Sequence, residues 1–471
     1  MTGPSKGYVL ENILKTTFNS LYPSAEGLHR AIFVGPGCNG SWNLDTSYGL
    51  NIYIRTAGEP TSGTTNSPAS FIFQLVIMKY ILSSLLLVAP VLAFPTSSDS
   101  LLERQATCPG LPSGFSFASD GKLPDPFTTA AGSKVTTKAD WACRKKEISD
   151  MFQKYELGTL PGKPESVTGS VSTSSISVSV KNAGKSISFS ASVKMPSGAS
   201  GAVPAIITIG GSSIPIPAGV ATINFNNDQM AAQQNKGSHG TGMFFDLYGK
   251  DHNAGALIAW AWGVSRILDI IEADTTNKID IKRIGVTGCS RNGKGAFIVG
   301  AFDDRIALTI PQESGSGGAA CWRISDSEHN AGKNIQTAGE IIGENAWFSP
   351  LFDQWATKTS SLPHDHHMLA AMTVPRGLLV IENNIDWLGP VSTTGCMRAG
   401  LEIYKAFGSD AMGFSETPGH NHCQFPSSQQ PELTAFINKF LKGGNDATSV
   451  DKSDQNVKAS NYISWTTPTL T

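Results

Sequence analysis

The stretch that decides the fold is "RIGVTGCSRNGKGA", residues 283–296. Its first six residues have the apolar pattern of a buried strand that ends at Gly288, and the glycine-rich run after Ser290 is typical of a helix start. A serine on such a tight turn exposes its Oγ above the sheet edge, as in a nucleophile elbow. The rival interpretation is a phosphate-binding helix N-terminus. It is disfavoured because the stretch has neither the P-loop nor the dinucleotide-binding spacing of glycines.

This elbow departs from the general form at one position. The usual pattern places a second glycine two residues after the serine, but here that position is Asn292 and the glycine is Gly293. Glycines are needed in such a turn because neighbouring backbones crowd it. We therefore predict Ser290 as a nucleophile on an elbow with the spacing G-x-S-x-x-G.

Apolar strands and helical segments alternate on both sides of the elbow. Serine-rich alternation over residues 166–195 predicts antiparallel hairpins ahead of them. The alternation itself predicts a three-layer α/β fold with a mostly parallel central sheet. The predicted strands are residues 203–211, 283–288, 306–314 and 376–383, and the predicted helices are 254–273, 293–302, 401–408 and 431–444.

Composition excludes several classes of protein. The 471 residues are 40% hydrophobic and 16% charged, which is typical of a globular chain and excludes general disorder, collagen and coiled coil. The net charge of −2 leaves no basic excess to neutralise a phosphate backbone, so we expect no nucleic-acid partner.

A targeting signal begins inside the chain, at Met78. Residues 78–93, "MKYILSSLLLVAPVLA", have a positive charge, an apolar stretch and small residues before the cleavage point, the pattern of a secretory signal peptide. A basic-residue processing site at Arg104 predicts a propeptide that ends at residue 104 and a mature start at Gln105. The mature protein is then secreted and extracellular, with no membrane attachment.

Residues 1–77 precede a signal that normally works only at an N-terminus. We interpret them as an extension produced by a start codon assigned too far upstream. The alternative is a signal anchor over residues 71–93, long enough to span a bilayer. Lys79 in its interior disfavours this, at a cost of about 2.5–3.5 kcal/mol.

Six cysteines remain in the body once Cys38 is removed with the extension. An even number after a signal peptide predicts disulfides, and six cysteines allow fifteen connectivities. No CxxC spacing suggests zinc, and the sequence predicts no metal and no cofactor. The six are Cys108, Cys143, Cys289, Cys321, Cys396 and Cys423.

A serine nucleophile needs a histidine base, and in this type of fold the base follows the acid along the chain. The downstream candidates are His329, the cluster His364, His366 and His367, and the pair His420 and His422. Only the last pair falls in a loop after the final strand. The cluster resembles a metal-binding run, but adjacent histidines cannot all face one ion, so we expect exposed loop histidines there.

Two acids are open as the partner of that histidine. Glu313 ends the strand that follows the elbow helix, and Asp386 lies three residues after the next predicted strand, nearer the usual position of the acid. Composition and spacing alone do not choose between them.

Five motifs together resemble fungal glucuronoyl esterases, carbohydrate esterase family fifteen, which have the α/β-hydrolase fold. They are "GCSRNGKGA", "PQESGSGG", "ENAWF", "NNIDWLG" and "GHNHCQFP". The resemblance covers residues 105–444, the expected catalytic domain, and leaves residues 445–471 as a loosely held tail. It implies Ser290 as the nucleophile, Glu313 as the acid and His422 as the base, with His420 as a bystander.

The resemblance also implies roles for further residues. Arg291 contributes to the oxyanion hole through its backbone N–H and its side chain. The sugar contacts carry over onto Lys294, Gln336, Glu344 and Trp387, since hydroxyls need charged or amide partners and an indole offers a stacking face. The implied disulfides are Cys108–Cys143, Cys289–Cys423 and Cys321–Cys396.

The activity implied is hydrolysis of esters between 4-O-methyl-glucuronic acid of glucuronoxylan and lignin alcohols, by a monomer. Two alternatives are another secreted esterase, of the acetyl-xylan or feruloyl type, and a non-catalytic carbohydrate-binding protein of the same fold. Turnover of a methyl glucuronate ester, compared with that of acetyl and feruloyl esters, distinguishes all three.

Overall fold

The structure is a computed structural model and describes residues 108–113 and 115–471. The predicted extension 1–77, the signal peptide and propeptide 78–104, and the mature start Gln105 lie outside the described residues.

One ten-stranded sheet forms the centre of the described chain. Its order is β1-β2-β3-β5-β4-β6-β7-β8-β9-β10. The hairpin strands pair antiparallel, and every pair from β5 to β10 is parallel. This confirms the predicted mostly parallel sheet. The strands are β1 (Ser166–Val171), β2 (Ser175–Asn182), β3 (Lys185–Lys194), β4 (Val203–Ile209), β5 (Ala221–Phe225), β6 (Ile279–Cys289), β7 (Ile306–Gln312), β8 (Gly377–Glu382), β9 (Met412–Glu416) and β10 (Val450–Lys452).

Ten α-helices accompany the sheet in the described residues. None of the helices in that part of the chain is long and apolar enough to cross a membrane. The helices are α1 (Lys138–Phe152), α2 (Asn227–Met230), α3 (Met243–Tyr248), α4 (Ala256–Ala273), α5 (Arg291–Phe302), α6 (Trp322–Asn330), α7 (Ala338–Glu344), α8 (His367–Thr373), α9 (Pro390–Ala406) and α10 (Gln430–Leu441).

The sheet is covered on both faces, which is why its central strands are apolar throughout rather than alternating. Along β8, Leu378 and Val380 pack in the larger of two apolar clusters, while Leu379 and Ile381 pack in the smaller one with α10. Successive residues of a strand face opposite sides. The two clusters therefore form the layers on either side of the sheet.

The C-terminal tail is held firmly, so the expectation of a loose tail is wrong. Its strand β10 extends the sheet by pairing with β9. Beyond it, the backbone N–H of Leu470 donates to Ala406 O at 2.9 Å, and that of Lys138 donates to Thr471 O at 2.9 Å. A polar tail secured by backbone hydrogen bonds leaves little signal in its composition.

The histidine cluster is buried, so the expectation of exposed loop histidines is wrong as well. His364, His366 and His367 are all fully inaccessible. His364 and His366 each bond the buried carboxylate of Glu156 through Nε2, at 2.8 Å. His367 Nε2 donates to Pro124 O at 2.9 Å. Each ring is thus bonded to a distant segment of the chain, although His364 Nδ1 has no partner among the described residues.

Candidate active site

Strand β6 ends at Cys289, helix α5 begins at Arg291, and Ser290 forms the turn between them. Ser290 has φ 59° and ψ −126°, a conformation that a residue with a side chain adopts only at a cost. Its backbone N–H donates to Gln312 O at 2.9 Å, which ties the turn to β7. The turn has the strained backbone expected of a nucleophile elbow, and Ser290 is half-buried within it.

Close backbone contacts explain the unusual glycine spacing. A Cβ on Gly288 would lie 2.4 Å from Asn292 O, and one on Gly293 would lie 2.5 Å from Gln312 O. Position 292 has room for a side chain, and Asn292 Oδ1 accepts a hydrogen bond from Asn227 Nδ2 at 3.1 Å. The first turn of α5 therefore approaches β7 at residue 293, which is where glycine is required.

Glu313 directly follows β7 and is fully buried. Its Oε2 accepts hydrogen bonds from His422 Nδ1 and from the backbone N–H of Cys423, both at 2.8 Å. Its Oε1 accepts from His420 Nε2 at 3.1 Å and from Gln312 Nε2 at 3.3 Å. Burial raises the pKa of Glu313, but these donors outweigh it and hold the pKa below the ordinary value.

His422 is held through one nitrogen and leaves the other available. Its Nδ1 bonds Glu313, and its ring packs edge-on against Trp387 with centroids 4.8 Å apart. Its Nε2 is buried and has no hydrogen-bond partner among the described residues. No hydrogen bond joins Ser290 Oγ to this ring there, which is common where such bonds tighten only with substrate.

The two candidate acids differ clearly in their surroundings. Asp386 is exposed on a short 3-10 turn, Asp386–Leu388, and forms no hydrogen bond with a histidine in the described chain. Glu313 contacts both His420 and His422. The geometry thus favours the acid that the resemblance implies, at a place where the residue order alone left the choice open.

His420, which the resemblance implies to be a bystander, contacts the same carboxylate. Its side chain is only 6% exposed, against 27% for His422. Sequence order could not show this contact, because Glu313 lies 107 residues earlier in the chain.

Backbone strain is concentrated at this site. Four non-glycine residues of the described chain have positive φ, and three of them are Ser290, Glu313 (43°) and Cys423 (63°). At Cys423 this conformation accompanies the N–H bond to Glu313. Strained residues persist where the surrounding structure over-determines them, and they cluster at active sites.

A disulfide joins the two loops of the site. Cys289, directly before Ser290, is bonded to Cys423, directly after His422, with Cα atoms 5.7 Å apart. These two cysteines and His422 are the single group of three potential metal ligands found among the described residues, but both sulfurs are in the disulfide. The other bridges, Cys108–Cys143 and Cys321–Cys396, also match the implied pairing.

Two cations share one aromatic ring beside the elbow. The Arg291 guanidinium and the Lys294 Nζ each lie 5.3 Å from the centroid of Trp347. Arg291 is exposed, whereas Lys294 is 4% exposed and donates to Ser314 O at 2.5 Å. Burial lowers the pKa of Lys294 to about 8, although nearby carboxylates partly oppose the shift. The sequence reasoning missed Trp347, although "ENAWF" contains it.

The remaining implied sugar contacts lie together beside His422. Gln336 Nε2 donates to Glu344 Oε2 at 3.1 Å, and the Gln336 backbone N–H donates to Trp387 O at 3.4 Å. Trp387 in turn packs against His422. The structure thus brings these three residues together, with Trp387 against the candidate base.

Glu382, at the end of β8, is a buried acid that the sequence reasoning missed. Its Oε1 accepts from the backbone N–H and the hydroxyl of Ser314, at 2.9 and 3.0 Å. Burial, helped by the negative charge of Glu313, raises the pKa of Glu382 to about 8. Glu382 therefore stays protonated at neutral pH and adds no second negative charge beside Glu313.

Known proteins resemble this chain closely. A sequence model described as "Glucuronyl esterase, fungi" matches residues 178–408. A 4-O-methyl-glucuronoyl methylesterase of Neurospora crassa is 57% identical over 396 residues, covering 83% of this chain and 100% of that protein.

Solved structures agree with the sequence matches. A glucuronoyl esterase from Sporotrichum thermophile is 59% identical, with a TM-score of 0.76 over 77% of this chain and 100% of that one. A variant of that esterase, in complex with methyl 4-O-methyl-β-D-glucopyranuronate, is 58% identical, with a TM-score of 0.75 over 78% and 100%. With the same fold and more than half of the aligned residues identical along the full length of these relatives, this chain belongs to the fungal glucuronoyl esterases, a family of carboxylic ester hydrolases.

Proposed function

We propose that this protein hydrolyses esters between 4-O-methyl-glucuronic acid of glucuronoxylan and lignin alcohols, through an acyl-enzyme on Ser290. The observation that carries the proposal is the buried Glu313 carboxylate, bonded to His422 on a loop that a disulfide ties to the Ser290 elbow. The relative that holds methyl 4-O-methyl-β-D-glucopyranuronate supports the substrate class.

Acylation begins with the free nitrogen of His422. Neutral His422 accepts the Ser290 hydroxyl proton at Nε2 while Oγ attacks the ester carbonyl carbon. Glu313 holds Nδ1–H and stabilises the imidazolium that forms. The imidazolium then returns the proton to the leaving alcohol as the carbon–oxygen bond breaks. Water, activated in turn by His422, cleaves the acyl-enzyme and releases the uronic acid.

Negative charge on the carbonyl oxygen needs a donor at the elbow. The N–H of Arg291 is the first of helix α5, and the N-terminus of a helix favours negative charge. The exposed guanidinium of Arg291, held over Trp347, is a second donor at the same place. We assign both groups of Arg291 to the oxyanion hole.

The uronate ring is held by residues around the triad. Lys294 supplies a charged donor for a sugar hydroxyl from the elbow helix. Gln336, Glu344 and Trp387 supply an amide, a carboxylate and an aromatic face beside His422.

Ester selectivity tests the proposed function. Purified protein should hydrolyse methyl 4-O-methyl-glucuronate much faster than 4-nitrophenyl acetate or methyl ferulate, and Ser290→Ala and His422→Ala should abolish the reaction. Good turnover of acetyl or feruloyl esters with none of the glucuronate would replace the substrate assignment. Binding of the glucuronate without turnover of any ester would replace the enzyme assignment.

We also propose that the protein is secreted, with a mature chain that starts at Gln105. Its three disulfides support an oxidising compartment. N-terminal sequencing of protein from the culture medium should begin at Gln105, or at Phe94 without the propeptide step. Residues 1–77 intact on the active product would contradict the proposed processing.

A further inference from the structure

We propose that His420 is a positioning residue for the reaction: it orients the Glu313 carboxylate and keeps it negatively charged behind His422. The inference rests on the proposed Ser290, His422 and Glu313 triad. In this arrangement the Glu313 carboxylate of the triad is bonded by two imidazoles, those of His422 and His420.

The two histidines divide the oxygens of Glu313 between them. His422 Nδ1 is 2.8 Å from Oε2, and His420 Nε2 is 3.1 Å from Oε1. The Cys423 N–H supports the first oxygen and Gln312 Nε2 the second, at a longer 3.3 Å. With donors on both oxygens, rotation of the carboxylate breaks hydrogen bonds on both sides at once.

The hydrogen bonds define complementary tautomers. A carboxylate only accepts, so the proton of His420 is on Nε2 and that of His422 is on Nδ1. His420 Nδ1 is buried and lacks a partner among the described residues. A second proton would leave an unpaired N–H there, at the cost of a buried unsatisfied donor. His420 is therefore a neutral donor, which stabilises the Glu313 anion without adding a competing positive charge.

The backbone holds His420 beside Glu313, and its side chain is only 6% exposed. Its carbonyl oxygen accepts from Asn383 Nδ2, just past β8, at 3.0 Å. Its nearly buried ring lies against Glu313, while the more exposed His422 has the free nitrogen. His420 thus acts on the reaction only through Glu313.

Glu313 needs such donors because burial by itself favours its protonated form. Glu382 at the end of β8 is protonated at neutral pH, and its negative charge opposes the Glu313 anion only as the pH rises past about 8. On the helix side, Lys294 and Arg291 of α5 lie near the elbow and interact with each other. Removal of one of four donors leaves Oε1 with the weak Gln312 contact, so the carboxylate becomes more basic and more mobile.

Paired substitutions test the inference. His420→Leu removes the donor, whereas His420→Gln places an N–H near the position of Nε2. We expect kcat on methyl 4-O-methyl-glucuronate to fall roughly tenfold in His420→Leu, far less than the loss of about 10⁴ that follows loss of an orienting acid. KM should stay within about twofold, because the residue does not contact substrate. His420→Gln should recover most of kcat.

The pH profile of kcat/KM shows whether the loss in His420→Leu comes from the lost hydrogen bond to Glu313 or from a packing defect. A more basic Glu313 stabilises the His422 imidazolium, so the acidic limb of kcat/KM should move to higher pH in His420→Leu and return in His420→Gln. The exposed His329 provides the control His329→Leu, which should match the unchanged protein. If His420→Leu does not fold, His420→Phe keeps a ring without a donor and should show the same defect.

Three outcomes would overturn the inference: an unchanged kcat in His420→Leu, an equal loss in His420→Leu and His420→Gln, or an effect on KM alone. Failure of the proposed function gives a different result. In that case the unchanged protein does not hydrolyse the glucuronate ester, or His422→Ala retains activity, regardless of the result for the His420 variants.

Discussion

Two buried carboxylates in this protein are each held by two histidines, and one of them lies in the proposed active site. Glu313 is bonded by His420 and His422, at 3.1 and 2.8 Å. Glu156, in a π-helical turn after α1, is bonded by His364 and His366, both at 2.8 Å. The arrangement is nearly the same, so the difference in chemistry comes from what lies beyond the rings.

At Glu156 the outer nitrogen of His366 is occupied. His366 Nδ1 donates to Gly318 O at 2.7 Å, so both of its nitrogens are donors and the ring is an imidazolium. Burial opposes the charges, but Glu156 raises the pKa of His366, and the two histidines lower the pKa of Glu156 to about 2. At Glu313 the outer nitrogen of His422 is unpaired. His364 Nδ1 on Glu156 also lacks a partner among the described residues, but its side chain is fully buried, whereas that of His422 is 27% exposed beside the elbow. An acid–imidazole pair can act as a base only where its free nitrogen can meet a substrate.

The first test of this contrast removes each carboxylate in turn, beginning with the active site. Glu313→Ala should lower kcat on methyl 4-O-methyl-glucuronate by about 10³–10⁴, because an imidazole without its orienting acid adopts the wrong tautomer. Circular dichroism should show an intact fold. The exposed Asp386 supplies the control Asp386→Ala, which should retain nearly full activity. Collapse in the control with activity retained in Glu313→Ala would reverse the assignment.

Glu156→Gln should instead affect folding. Removal of one partner leaves the buried His366 imidazolium uncompensated, which costs about 3–5 kcal/mol in free energy of unfolding. The kcat of the folded protein should remain within about twofold. Urea denaturation measures the loss, with Glu272→Gln as the control, because Glu272 pairs with Arg305 at 3.2 Å but is 59% exposed. A large fall in kcat at unchanged stability would remove the distinction between the two sites.

Each of the two sites has a disulfide next to it, so the bridges allow a third comparison. Cys289–Cys423 flanks the proposed triad. Cys321 of the Cys321–Cys396 bridge is followed by Trp322, whose Nε1 donates to Glu156 at 3.2 Å. Replacement of either pair by alanine should cost about 2–4 kcal/mol. Only the Cys289–Cys423 variant should also lose kcat, since that bridge holds the Ser290 turn close to the His422 loop.

Mass spectrometry of a non-reduced digest tests the bridge itself. The Cys289 peptide should be found linked to the Cys423 peptide, and a free, alkylatable Cys289 would contradict the disulfide.

The sequence predicted features that depend on neighbouring residues. The elbow at Ser290, the serine-rich hairpins and the apolar parallel strands are each encoded by a local period or a glycine at a fixed offset. The one-residue displacement to Gly293 was visible, but its cause, the approach of α5 to Gln312 O, required the folded sheet.

The features that were missed depend on distant partners. The burial of His364 requires Glu156, which lies 208 residues earlier, and the role of His420 requires Glu313, 107 residues earlier. The choice between Glu313 and Asp386 likewise depends on where two loops meet. A histidine with a free nitrogen and one with both nitrogens bonded look the same in a sequence. The choice of Glu313 and His422 therefore came from the resemblance to a family, because the spacing of residues could not make it.

The two sites should also differ in their response to pH, with the smallest effect expected here. Near neutrality the charges at Glu156 are fixed, but Lys294 beside the elbow has a pKa of about 8. As the pH rises from 7 to 9 Lys294 loses its charge, so KM for the methyl ester should rise roughly threefold while kcat changes little, on the scale of one weakened hydrogen bond. Glu382 titrates over the same range, so Glu382→Gln is the control. If the rise in KM persists in that variant and disappears in Lys294→Gln, Lys294 is responsible; the reverse pattern would assign the effect to Glu382.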